Sequence, residues 1–209
     1  MNFCPSRVPL PQPSPRSFGL AALLVPLAAC AFMLLSAWLA YPAWERAFRS
    51  DASPVSWLSS ALLLTLSVLS VRLLADGGLP RWLGIWLTLS MLVLALDEQF
   101  MLHELWKYRC HELSAWCEIA WVRELPMRMV GLTGAITVAL MLRALPRRLT
   151  RGLLLAGITC GLWAIAVDQW PMPYPIAELE EAFEVLAESL VLAALLSVPT
   201  PAPGAQVQS

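Results

Sequence analysis

Stretches of about twenty apolar residues, separated by short polar links, constrain this chain more than any other feature. A helix rises about 1.5 Å per residue and a bilayer's hydrocarbon core is about 30 Å thick, so each stretch is long enough to cross. Inside lipid the backbone must satisfy its own hydrogen bonds, which leaves helices as the element for runs of this length. The stretches are 18–41, 54–75, 82–103, 126–145, 152–170 and 176–198. Only 14% of the 209 residues are charged, against roughly 25% in an ordinary soluble domain, and the mean hydropathy is +0.65. The expected fold is all-α, a polytopic membrane helix bundle of about six transmembrane helices. No internal repeat is visible.

The links carry the remaining polarity. Residues 1–17 hold five prolines and two arginines and read as a disordered cytoplasmic arm. Residues 199–209 read as a disordered tail. Gly77-Gly78-Leu79-Pro80 is a turn signal. Residues 104–125 mix charges with Trp106, Trp116 and Trp121, a pattern expected of an amphipathic interfacial helix between spans three and four. Leu27-Ala28-Ala29-Cys30 matches a lipobox, but the apolar run continues past it, which favours an uncleaved span. Cys30 and Cys160 sit in apolar runs and read as packing residues. Seven helical residues would hold the Cα atoms of Cys110 and Cys117 about 10 Å apart, so a disulfide there requires a bend.

Positive charge sets the expected orientation. With the N-terminus inside, Arg7, Arg16, Arg72, Arg81, Arg143, Arg147, Arg148 and Arg151 lie on the inner side. Arg46, Arg49, Lys107, Arg109, Arg123 and Arg128 lie on the outer side. Eight against six is a small excess, and the Arg-rich link 146–151 with the basic arm adds weight. Six spans return the C-terminus inside, so the topology is N-in/C-in. Asp76 is then the one acidic residue on the inner side. A net charge of −1 without a basic patch excludes nucleic acid as a partner.

The acids give the functional reading. Charges deep in a bilayer are costly and mark functional sites. By helical rise, Asp97 lies about 22 Å from the inner boundary, Asp168 about 24 Å, and Glu184 roughly 9 Å below the outer surface. Carboxylates of three spans thus share one level. Glu181, Glu184 and Glu188 stand at i, i+3 and i+7, one stripe of a helix. The candidate metal ligands are Asp97, Glu98, His103, Glu104, Asp168, Glu181, Glu184 and Glu188, with Glu104 and Glu184 as candidate acid–base residues. Glu178 and Glu180 have a simpler reading, as acids at the positive end of a helix. Three things can neutralise such a cluster: a divalent transition metal, since carboxylates and imidazole suit iron, manganese or zinc; protons; or Arg123 and Arg128, whose pairing would be structural. Gly157-xxx-Gly161 reads as a helix-packing motif.

Leu94 to Glu104, with Asp97, Glu98, His103 and Glu104, resembles a group of uncharacterised bacterial multipass membrane proteins. They carry a Leu-Asp-Glu–x4–His-Glu pattern, and clustered glutamates in a later span, here Glu180, Glu181 and Glu184. The resemblance implies a bacterial cytoplasmic (inner) membrane location and no particular activity. Ceramidase-like hydrolases and membrane desaturases need several histidines, and this chain has two. Three readings follow. The first is a metalloprotein acting on a lipid or other amphiphile, by the logic of carboxylate bundles though without their Glu-x-x-His motif. The second is a proton- or cation-coupled carrier. The third is a structural or assembly subunit of a membrane complex. Membrane lipids are expected partners, and a homo-oligomer or a membrane partner protein belongs with the second and third readings.

Overall fold

The computed structural model describes residues 22–48, 53–113, 116, 119–123, 125–145 and 147–198. The expected arm 1–17 and tail 199–209 lie outside the described residues. Everything described is helix, turn or link: α1 (Leu24–Leu39), α2 (Pro54–Ala75), α3 (Arg81–Phe100), α4 (Leu102–Leu113), α5 (Ala120–Arg123), α6 (Leu125–Ala144), α7 (Arg148–Gln169) and α8 (Glu180–Leu196). Short 3-10 turns at Trp44–Ala47 and Ile176–Leu179 precede α2 and α8. Among the described residues, three helical stretches are long and apolar enough to cross a membrane: Pro54–Ala75, Arg81–Phe100 and Arg148–Val167. Their outer faces are apolar as well. Trp57 is 60% exposed, Val68 64% and Leu162 63%, surface that water would penalise and lipid would not.

Local chemistry sets the helix ends. Ser53 caps α2, its hydroxyl accepting from the Ser56 N–H at 3.0 Å, with Pro54 in the first turn. At the other end Gly77 adopts φ 71, which lets the Gly78 N–H reach the Leu73 carbonyl at 2.8 Å and the Gly77 N–H reach Leu74 at 3.3 Å. That double closure needs a residue free of a Cβ penalty. The expected link 146–151 is mostly helical, since α7 begins at Arg148. Arg151 donates from Nε to the Leu145 carbonyl at 2.6 Å, which folds the link tightly.

α8 is the centre of the bundle. It packs most extensively on α7, and also on α2 and α1, while α2 carries α3 along its other side. Val185, Ala193 and Ala194 of α8 are fully buried. A Cβ on Gly157 would lie 3.0 Å from the Ala187 carbonyl oxygen and 3.1 Å from Val191, so the expected glycine motif does bring α7 and α8 together. Small polar residues do the same between α2 and α3: the buried Ser67 hydroxyl donates to the Thr88 carbonyl at 2.9 Å. α6 is the most loosely packed long helix. Trp86 of α3 holds it through Nε1 donating to Thr137 at 2.7 Å.

The bundle has two unlike ends. Thr150 and Ser197 share a hydrogen bond of 2.6 Å, and a Cβ on Gly78 would meet Val198 at 3.6 Å. The α2–α3 link, the start of α7 and the finish of α8 therefore meet, and Arg72, Arg81, Arg147, Arg148 and Arg151 gather there. Trp44 and Tyr174, with ring centroids 6.2 Å apart, join two links at the opposite end. Glu45, Glu178, Glu180, Glu181 and Glu184 lie toward that end, as do Asp97 and Glu98 on the outgoing α3. Among the described residues, these arginines and these acids thus lie toward opposite ends of the bundle.

Candidate carboxylate site

The expected third span, 82–103, breaks early. Met101 takes a left-handed conformation (φ 52, ψ 43) and its N–H bonds the Asp97 carbonyl, which ends α3 at Phe100. The Asp97 carboxylate then turns to the new helix. Oδ1 accepts from the His103 N–H at 2.8 Å, and Oδ2 lies 3.0 Å from His103 Nδ1. One side chain bonds an N–H in the first turn of α4 and orients the His103 imidazole. Asp97→Ala is expected to lower stability by about 1–2 kcal/mol, as for a lost helix cap, and to leave bound metal unchanged. A thermal melt together with metal analysis of the variant checks both halves.

The segment expected as one interfacial helix over 104–125 is two helices, α4 and α5. Trp106 donates from Nε1 to the Val122 carbonyl at 3.2 Å, which folds one over the other. Cys110 is buried and disulfide-bonded. Its expected partner Cys117 lies outside the described residues, while α4 stops at Leu113, so the chain is not one helix between the two cysteines. Cys30 and Cys160 are free and half-buried.

The carboxylates that converge are Glu98, Glu181 and Glu184. One oxygen from each lies within 4.8 Å of the others, and all three residues are half-buried. Glu98 comes from the last turn of α3. Glu181 and Glu184 come from the first turns of α8, on the stripe that the i, i+3 spacing predicts. α2 supplies the floor. The buried Ser56 hydroxyl donates to Glu98 Oε1 at 3.1 Å, and the buried Ser59 hydroxyl donates to Glu188 Oε1 at 2.8 Å. Glu188 sits one turn below Glu184, near the middle of α8. Side chains of a helix lean toward its N-terminus, so Glu188 leans toward the cluster. Its Oε2 is buried without a hydrogen-bond partner among the described residues, and so is the Ser60 hydroxyl.

Of the sequence candidates, then, Glu98, Glu181 and Glu184 are brought together and Glu188 lies directly beneath. Asp97 and His103 pair with each other. Glu104 and Asp168 belong to α4 and α7, and their side chains lie outside the described residues. Ser56 and Ser59 escaped sequence reading. Their signal is a pair of hydroxyls at i, i+3 in an apolar helix, matching the glutamate spacing on α8.

The pattern of DUF8692, a domain of unknown function, matches residues 18–198. The chain belongs to this family. Every group described above falls inside the DUF8692 match, including the three converging glutamates and both serines beneath them. No curated protein and no solved structure matches the chain.

Chemically, three adjacent carboxylates cannot all be ionised without a counter-charge. Their donor atoms are all oxygen. Bond lengths of about 2.0–2.6 Å allow a single cation to reach three oxygens spaced this way. Oxygen donors suit manganese, magnesium or calcium, and iron in carboxylate bundles, better than they suit zinc.

Proposed function

We propose that this protein is a six-span membrane protein, N-in and C-in, which holds one divalent cation between α3 and α8 near its outer face. The observation that carries this reading is the approach of Glu98, Glu181 and Glu184 to within 4.8 Å of one another. Of the metals expected from the sequence, manganese fits the oxygen donors best and iron follows. The arginines gathered at the opposite end support the orientation, and with it a location in a bacterial cytoplasmic membrane. A cation at that depth polarises a phosphoryl or carbonyl oxygen. The substrate class of this reading is an amphiphile whose headgroup meets the site from the bilayer. Glu184 is its acid–base residue, together with Glu104.

Metal analysis of the detergent-purified protein tests it. Wild type is expected to retain about one manganese or iron per chain, and Glu184→Ala is expected to retain essentially none. Wild type that stays metal-free after incubation with both metals overturns the reading.

One observation favours a second reading. The unpartnered Oε2 of Glu188 suits a group that carries a proton rather than a metal. A proton-coupled carrier follows from it, and proteoliposomes would then show ion flux that depends on a pH gradient and is lost in Glu188→Gln.

A further inference from the structure

A second site lies at the arginine end, far from the carboxylates. A groove of about 510 Å³ runs between α2 and α3, lined by Val71, Leu74, Ala75, Leu79 and Ile85, with Arg81 at its mouth. Its volume falls in the range of about 300–1,000 Å³ typical of ligand pockets. The lining is apolar, and Val71 and Ile85 remain 49% and 45% exposed. The groove is open to the outside of the bundle along these exposed side chains, and both of its walls belong to helices able to cross a membrane.

The groove has a fixed level. Trp82 is 55% exposed beside Arg81, an arrangement typical of the membrane–water boundary. Ile85 lies one helical turn farther in, so the cleft descends from that boundary into the apolar layer. Three other arginines at this end are engaged, while Arg148 lies outside the groove. Arg72 lies 3.6 Å from Asp76, Arg147 donates to the Ser197 carbonyl, and Arg151 donates to Leu145. Arg81 makes no ion pair or hydrogen bond among the described residues. Its guanidinium is exposed and suited to two parallel hydrogen bonds with a phosphate. A basic group at the rim of an apolar cleft between spans is complementary to an anionic headgroup above an acyl chain.

We propose that this groove binds an anionic phospholipid, with one acyl chain between α2 and α3 and the phosphate at Arg81. The test is native mass spectrometry of the full-length protein from mixed micelles of phosphatidylglycerol and phosphatidylcholine. Wild type is expected to keep one phosphatidylglycerol in preference to phosphatidylcholine by about fivefold, the weight of one basic residue at an anionic surface. Arg81→Gln should erase the preference and Arg81→Lys should keep most of it. Arg148→Gln, at the same end but outside the groove, should change nothing. Ile85→Trp, which fills the cleft and keeps the charge, should lose the bound lipid altogether. Equal retention of the two lipids by wild type overturns the proposal. So does displacement of the lipid by millimolar inorganic phosphate, or a dimer that Ile85→Trp abolishes.

Discussion

Replacing Gly157 with leucine will force α7 and α8 apart and lower stability by about 3 kcal/mol. Even a Cβ at this position would lie 3.0 Å from the Ala187 carbonyl oxygen and 3.3 Å from Leu190 Cβ. Neither atom can swing away, because one is backbone and the other is the root of a side chain. A leucine adds three more carbons to the same contact. At roughly 2–4 °C per kcal/mol for a chain of this size, the melting temperature should fall by roughly 6–12 °C. Glycine at 152 provides the control. A Cβ there meets nothing within 4 Å, so Gly152→Ala should be neutral or gain up to about 1 kcal/mol of helix propensity. Because α8 carries Glu181, Glu184 and Glu188, the Gly157 variant should also weaken cation binding. Unchanged melting of Gly157→Leu would show that α7 and α8 do not pack through this glycine.

The second large effect concerns Glu188 and Ser59. Ser59→Ala removes the hydroxyl that donates to Glu188 Oε1, the one hydrogen bond described for that carboxylate. Leaving a buried acceptor unsatisfied costs about 1–3 kcal/mol. The double variant Ser59→Ala/Glu188→Leu removes both polar partners and refills the space with a side chain of similar length. Replacing both partners of a buried hydrogen bond by apolar groups is nearly neutral or stabilising. The double variant is therefore expected to melt at or above the wild-type temperature, while the single variant melts well below it. That result would mean that the glutamate is retained in mid-helix for function at a cost in stability. A double variant as unstable as Ser59→Ala would instead make Glu188 a structural member of the core.

Helix periodicity and charge reveal much of this arrangement, and their limits are specific. Apolar run lengths locate the long helices, because a lipid-facing helix must be apolar for its whole length. The stripe of Glu181, Glu184 and Glu188 follows from 3.6 residues per turn. Depth along the axis, however, gives height and not direction. Asp97 and Glu98 are at one level but about 100° apart around α3, and nothing in their spacing says which of them faces α8. The choice is made by Met101. Its left-handed backbone turns the chain so that Asp97 is used by the His103 N–H, and Glu98 is left to the cluster. Glycine or asparagine at position 101 would have signalled such a turn, whereas methionine conceals it. Ser56 and Ser59 were equally hidden, because serine in an apolar helix commonly bonds its own backbone, as Ser70 does to Leu66 at 2.8 Å.

The central question for this protein is whether glutamates of α3 and α8 share one cation. Titration of the purified protein with Mn²⁺, followed by the loss of the free-ion EPR signal, measures this. Wild type should bind one ion per chain. Glu98→Gln on α3 and Glu184→Gln on α8 should each weaken binding by at least about tenfold, and Ser56→Ala, which only orients Glu98, by roughly 10–100-fold or less. Wild-type affinity in Glu98→Gln, with loss confined to the α8 variants, would contradict a shared site.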